Sequence, residues 1–131
     1  MALNHQHTQA LNGRSLLNAL STNDILPTLR HANLDSCGLT AFPDGIFKLP
    51  DLTTLSLFDN LLTEVPANIS QLRHLQTLNL SQNQLTAVPY RIGELIQLEM
   101  LDLGHNHLES LPESIGRLTD LAFLYVSDSN C

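Results

Sequence analysis

The sequence predicts an α/β fold in which one structural unit is repeated along a solenoid. The first observation is a column of leucines separated by steps of 23 residues: Leu29, Leu52, Leu75, Leu98 and Leu121. The second is a column of prolines with the same step: Pro43, Pro66, Pro89 and Pro112. The third is a short L-x-L segment, whose alternation is typical of a half-buried strand. A fixed period of this length indicates a stack of repeats with a shared core.

Two further columns keep the same register, Ile46, Ile69, Ile92 and Ile115, then Leu49, Leu72, Leu95 and Leu118. The unit reads L-x-x-L-x-L-x-x-N-x-L-x-x-[LVF]-P-x-x-I-x-x-L-x-x, and LQTLNLSQNQLTAVPYRIGELIQ (75–97) is its cleanest copy. This unit resembles the leucine-rich repeat, and in particular its 23-residue intracellular type. The resemblance covers residues 29–131. It implies a right-handed leucine-rich repeat solenoid with a curved parallel sheet on the concave face and short helical or 3-10 turns on the convex face.

The two halves of each unit have different periods. In the third repeat we expect Leu78 and Leu80 to point inward while Thr77, Asn79 and Ser81 point outward. Ile92 and Leu95 are three residues apart, which fits a short helical or 3-10 turn with one apolar edge. Proline at the start of such a turn is tolerated because its missing N–H would have no partner there.

A polar column lies between these halves: Cys37, Asn60, Asn83, Asn106 and Ser129. The resemblance implies that its side chains point inward and bond backbone groups of adjacent turns in a ladder. Cys37 is a common substitute at the first rung. Ser129 is a weaker one, which predicts a poorly formed last copy.

The two ends of the chain are predicted to differ. We expect residues 1–10 to be a flexible tail, 11–28 an N-terminal helical cap, and 29–131 the repeats, four full and the fifth truncated. The helix is predicted over 14–21 from the spacing of Leu16, Leu17 and Leu20, with Leu26 as a further candidate. Leu124 and Val126 would lie in an open edge strand, which is a pairing hazard. The alternatives are that the chain is a piece of a longer protein, or that a second copy or a partner covers this end.

Charge and cysteine content restrict the function classes. The net charge is −7, with 6 basic and 13 acidic residues. This argues against nucleic acid and anionic membrane as partners, because both need clustered Lys and Arg. The two cysteines, Cys37 and Cys131, form no disulfide framework, and the N-terminus has no basic start followed by an apolar stretch. We therefore expect a cytoplasmic protein.

Outward strand positions should converge on the concave face and form a partner-binding surface. The apolar exceptions there, Met100, Phe123 and Tyr125, are adjacent across the last two repeats and are of the types enriched at interfaces. The alternative is that the two rings shield a frayed terminal repeat. Asp59, Asp102 and Asp128 make the face acidic, which favours a protein partner with a basic surface, unless the asymmetry is chance. The predicted partner-binding residues are Phe58, Asp59, Asn79, Met100, Asp102, His105, Phe123 and Tyr125.

Catalytic and metal chemistry is not favoured. His5 and His7 lie in the predicted tail, and two histidines do not complete a zinc site. His105, Asp102 and Asp128 could meet on the concave face, but such groups are expected on any polar surface. Ser127 beside His105 and Asp102 lacks a strained nucleophile turn and an oxyanion hole. We therefore predict no enzyme activity, no metal and no cofactor.

The sequence leaves two functional hypotheses. The first is a protein–protein interaction module, an adaptor, scaffold or recognition domain that binds through its concave face. The second is a recognition fragment of a larger signalling enzyme or bacterial effector, with a kinase or ubiquitin-ligase domain elsewhere. Self-association through the open C-terminal edge is a further expectation.

Overall fold

The computed structural model describes residues 13–22 and 28–126 and contains a five-stranded parallel sheet with strands in chain order. A helix precedes the sheet, and a 3-10 turn follows each of the first four strands. The helix α1 spans Gly13–Ser21. The strands are β1 His31–Asn33, β2 Thr54–Ser56, β3 Thr77–Asn79, β4 Met100–Asp102 and β5 Phe123–Tyr125. The 3-10 turns are η1 Asp44–Lys48, η2 Ala67–Gln71, η3 Tyr90–Glu94 and η4 Glu113–Arg117.

Strand pairing follows the sequence period without a slip. His31 pairs with Thr54, Thr54 with Thr77, Thr77 with Met100, and Met100 with Phe123. The central residue of each strand from β1 to β4 is buried, and its two neighbours point to the other side of the sheet. This alternation places the leucine columns in one continuous core and confirms the predicted α/β repeat solenoid.

The second half of each repeat is a 3-10 turn, one of the two conformations that the sequence allowed. A proline in the extended region precedes each turn, and its carbonyl oxygen accepts the N–H of the turn's isoleucine, as in Ile92 to Pro89 at 3.0 Å. The Leu95 N–H then donates to the carbonyl oxygen of Ile92 at 3.2 Å. Ile92 is fully buried, so the turn presents its apolar edge to the sheet.

The predicted polar ladder is present at Asn60, Asn83 and Asn106, which are all buried. The Nδ2 of Asn83 donates to the carbonyl oxygens of Leu57, Leu80 and Ser81, and its Oδ1 accepts the Leu62 N–H at 3.0 Å. Cys37 is half-buried at the first rung, and its Sγ lies 3.5 Å from the Asp35 carbonyl oxygen. Ser129 lies outside the described residues.

The helix α1 packs against the first repeat through Leu16 and Leu20, which are buried, while Leu17 is half-buried. A Cβ on Gly13 would lie 2.5 Å from Cys37 Sγ, so the helix start lies close to the first ladder position. The domain limits remain a prediction, because residues 1–10 and Leu26 are outside the described part of the chain.

Two details of the sheet differ from the predictions. Ser81 lies on the predicted outer side of the sheet, where its hydroxyl donates to Asn79 Oδ1 at 2.9 Å, but it is buried rather than exposed to solvent. Phe58, Asp59 and His105 are not strand residues, because the strands are only three residues long. Asp59 and His105 lie in the turns after β2 and β4 with left-handed φ values of 60° and 55°. Ser36 and Gln82 adopt the same conformation at their repeats.

Candidate functional site

The outer face of the sheet, formed by the strand residues that point away from the core and the turns that follow them, is the candidate site. This is the face that the resemblance assigns to the concave side. The structure brings five predicted residues together across β3 to β5. Asn79, Asp102 and Tyr125 are neighbours in register, as are Met100 and Phe123.

Phe123 and Tyr125 form an exposed aromatic pair at the end of this face. Their side chains are 55% and 48% exposed. Their ring centroids are 6.4 Å apart and their planes are within 4° of parallel. Met100 is half-buried beside Phe123. Aromatic residues and methionine are enriched at protein interfaces.

A groove runs along the edge of the sheet where β4 and β5 begin. It is lined by Thr77, Glu99, Met100, Asp120, Ala122 and Phe123. Glu99 lies immediately before β4, and Asp120 lies three residues before β5. The predicted binding face included only positions from the strands onward, so neither residue was part of it.

The carboxylates of the outer face also serve the scaffold. Asp35 Oδ1 accepts the Phe58 N–H at 3.0 Å and the Ser56 hydroxyl at 2.5 Å. Asp102 Oδ1 accepts the Gly104 N–H at 3.0 Å. These bonds satisfy backbone N–H groups just after the strands. Asp35 and Asp102 therefore stabilise the fold as well as adding negative charge to the outer face.

Phe58, Asp59 and His105 lie at the opposite edge of the face from the groove, where the strands end. Phe58 is half-buried and Asp59 is exposed, with its Oδ2 accepting the Ser36 hydroxyl at 2.8 Å. His105 is exposed in the turn after β4. The predicted residues therefore form one group on β3 to β5 and a separate row along the strand ends.

The column immediately before the strands changes charge along the molecule. It reads Arg30, Thr53, Gln76, Glu99 and Ala122. Arg30 is exposed beside β1, while Glu99 is exposed beside β4. This column is therefore basic beside β1 and acidic beside β4.

Sequence models of the leucine-rich repeat match two overlapping parts of the chain. One, described as a leucine rich repeat, matches residues 27–85, and one described as a leucine-rich repeat region matches residues 68–131. Together they span the whole five-stranded sheet. The chain belongs to the leucine-rich repeat family. The finer assignment to the 23-residue intracellular type stays a prediction.

Solved leucine-rich repeat structures have the same fold. A leucine-rich repeat protein of Leptospira interrogans is 30% identical, with a TM-score of 0.70 over 90% of this chain and 35% of its own. An internalin of Listeria monocytogenes is 29% identical, with a TM-score of 0.61 over 68% of this chain and 26% of its own. The BIR2 ectodomain of Arabidopsis thaliana, at 23% identity and a TM-score of 0.63 over 76% of this chain and 50% of its own, shows the fold alone. The chain thus spans a half or less of these proteins. No curated protein matches it.

The leucine-rich repeats carry no cluster of three or more His, Cys, Asp or Glu residues suited to a metal ion within 13–22 and 28–126. His5, His7, Ser127 and Asp128, which the sequence analysis considered, lie outside those ranges. No helix in the described part of the chain is long and apolar enough to span a membrane.

Proposed function

We propose that this leucine-rich repeat protein binds a protein partner through the outer face of its sheet. Leucine-rich repeat domains are generally protein-interaction modules and are typically non-catalytic. The observation that carries the choice of face is the exposed, stacked pair Phe123 and Tyr125 beside Met100 and Asp102. Large aromatic surface exposed next to polar groups favours binding over any chemical reaction.

The partner proposed is a protein with a basic surface. The net charge of −7 and the carboxylates of Glu99, Asp102 and Asp120 near β4 and β5 would speed association with such a partner and would disfavour nucleic acid and anionic membrane. We also propose a cytoplasmic location, on the cysteine content discussed above.

The test compares two triple variants of the full chain with the wild type. In the first, Phe58→Ala, Asp102→Asn and Tyr125→Ala alter the outer face, and the asparagine keeps an acceptor for the Gly104 N–H. In the matched control, Leu61→Ala, Ile96→Ala and Glu113→Gln remove similar groups from exposed positions off the strands. Each protein is immobilised, and bound proteins from the source cell are quantified by mass spectrometry.

We expect the first variant to lose specific partners and the control to keep them. Retention of the same partners by all three proteins would show that the outer face is not the binding surface. Sedimentation of the purified wild type in the same buffer reveals whether the partner is a second copy of this chain.

A second proposal is that these repeats are the recognition part of a larger signalling enzyme or effector. The observation that favours it is that the chain covers only 35% and 26% of the two more similar solved structures. The messenger RNA and reading frame beyond Cys131 test it directly. A stop codon at that point would contradict it.

A further inference from the structure

The groove beside Phe123 combines an aromatic ring, a thioether and two carboxylates. Glu99, Asp120, Ala122 and Phe123 are exposed, and Met100 is half-buried. Neither Glu99 nor Asp120 forms an ion pair with a basic side chain of the described residues. The groove therefore combines two carboxylates with apolar side chains among its lining residues.

The same place in the other repeats has different chemistry. The positions of Glu99 and Asp120 are held by Arg30 and Asp51 in the first repeat. In the second they are Thr53 and His74, and in the third they are Gln76 and Gln97. Within the described repeats, the pairing of two acids with an aromatic ring occurs only between β4 and β5. The repeat pattern therefore does not require two acidic residues and an aromatic ring at these positions.

We propose that this groove binds an arginine side chain of the protein partner. The proposal rests on the function proposed above and specifies its chemistry. A guanidinium group can stack on the Phe123 ring while it donates hydrogen bonds to the carboxylates of Glu99 and Asp120. Its aliphatic stem would lie along Met100 and Ala122. Tyr125 stacks with Phe123 but does not line the groove, so it supports the ring from outside.

Arginine fits this groove better than lysine does. Guanidinium is planar and weakly hydrated, so it can contact a ring face and two acceptors together, whereas an ammonium group is a compact, strongly hydrated charge. The net negative charge of the chain adds a general attraction for both. Stronger binding of arginine than of lysine would therefore distinguish a specific site from nonspecific attraction between opposite charges.

The test uses purified, isotope-labelled full chain and three short peptides. The probes are acetyl-Gly-Arg-Gly-Arg-Gly-amide and its analogues with lysine or with citrulline, which has nearly the shape of arginine without its charge. We expect amide shifts confined to Thr77, Glu99, Met100, Asp120 and Phe123, with affinity falling from arginine to lysine to citrulline. The double variant Glu99→Gln, Asp120→Asn should weaken arginine-peptide binding about tenfold.

A matched variant controls for net charge. Glu64→Gln with Glu113→Gln removes the same charge at exposed positions away from the groove, and it should leave peptide binding nearly unchanged. Phe123→Leu should reduce the difference between arginine and lysine. Equal binding of the arginine and citrulline peptides, shifts elsewhere on the protein, or equal loss in both double variants would overturn the proposal.

Failure of this proposal is distinguishable from failure of the proposed function. The peptide experiment uses neither the cellular partner nor Phe58, Asp102 or Tyr125. If those three positions control partner capture and the peptides show no arginine preference, the arginine site is wrong and the binding face is right. If partner capture ignores the outer face, the proposed function itself fails.

Discussion

Buried asparagines connect neighbouring repeats at the residue level. Each of Asn60, Asn83 and Asn106 donates to a carbonyl oxygen of the preceding repeat and to two of its own. Each side-chain oxygen in turn accepts a backbone N–H from the preceding repeat. A side chain with one donor group and one acceptor group thereby satisfies several backbone groups that leucines would leave unpaired.

Replacement of Asn83 by alanine should be strongly destabilising. The Leu62 N–H loses its bond to Oδ1, and the carbonyl oxygens of Leu57, Leu80 and Ser81 lose theirs to Nδ2. We expect the free energy of unfolding to fall by about 3 kcal/mol or more, measured by urea denaturation. Gln84→Ala, at the exposed neighbouring position, should change it by less than about 0.5 kcal/mol. Equal effects at the two positions would contradict the ladder's role.

The backbone N–H at the end of each strand is capped in two alternative ways. Asn33, Asn79 and Asp102 each cap the N–H two residues later in their own repeat. Ser56 does not do so in the second repeat, and Asp35 of the preceding repeat accepts the Phe58 N–H instead. A carboxylate of the first repeat thus replaces the acceptor that Ser56 does not supply in the second.

Because Asp35 supplies the cap that Ser56 lacks, we expect that a new cap at position 56 can restore stability lost at position 35. Asp35→Ala should lower the free energy of unfolding by about 1–2 kcal/mol because the Phe58 N–H and the Ser56 hydroxyl lose their acceptor. Adding Ser56→Asn restores a cap within the second repeat and should recover most of the loss. Thermal or urea denaturation of the single and double variants measures this. No recovery in the double variant would show that Asp35 acts in another way.

At the level of elements, the 3-10 turns η3 and η4 pack closely because residue 93 is a glycine. A Cβ on Gly93 in η3 would lie 2.5 Å from Ser114 Cβ and 2.6 Å from the Ser114 carbonyl oxygen in η4. The Ser114 hydroxyl also donates to the Tyr90 carbonyl oxygen at 2.6 Å. Gly116, the equivalent residue of η4, has no atom within 4 Å of its added Cβ.

These two glycines form a matched pair for mutation. Gly93→Ala should destabilise the protein by about 1–3 kcal/mol, because backbone of η4 must move away. Gly116→Ala should be neutral or stabilising by about 0.5 kcal/mol, since it restricts the unfolded chain without a clash. Urea denaturation of both variants provides the comparison. The reverse order of stability would show that η3 and η4 are less closely packed than the structure has them.

For the whole molecule, burial declines toward β5. Leu78 in β3 and Leu101 in β4 are fully buried, whereas Leu124 at the same position of β5 is 37% exposed. Within the described residues β5 pairs with β4 alone, whereas β3 pairs on both sides. Stability in a solenoid is close to a sum of repeat and nearest-neighbour terms, so we expect β5 to be less stable than β3.

Hydrogen exchange should therefore be graded along the sheet. In the full chain we expect the amide of Phe123 to exchange faster than that of Thr77, which has strands on both sides. Mass spectrometry or NMR of the exchanging protein measures the difference. Equal protection at the two positions would indicate that the repeats unfold as one unit.

The sequence could predict the positions of residues that recur with the 23-residue repeat. Leu78, Ile92 and Asn83 were placed correctly because their residue types recur at steps of 23 residues, with only Ala32, Cys37 and Ser129 as exceptions. Asp59 was placed on a strand because the local alternation does not show where a three-residue strand stops. The groove at Glu99 and Asp120 was missed because its chemistry breaks the repeat, and only the fold shows which columns adjoin the outer face.

The ladder bonds also determine how such a protein can grow. Between repeats, the Asn side chains bond residues 21, 23 or 26 positions earlier, always in the preceding repeat. An in-frame tandem duplication of 23 residues would therefore leave every such bond with a chemically equivalent partner. Each added copy would lengthen the sheet by about 4.8 Å. Copy number can then change in a single genetic step, and the binding surface can lengthen without a redesign of the core.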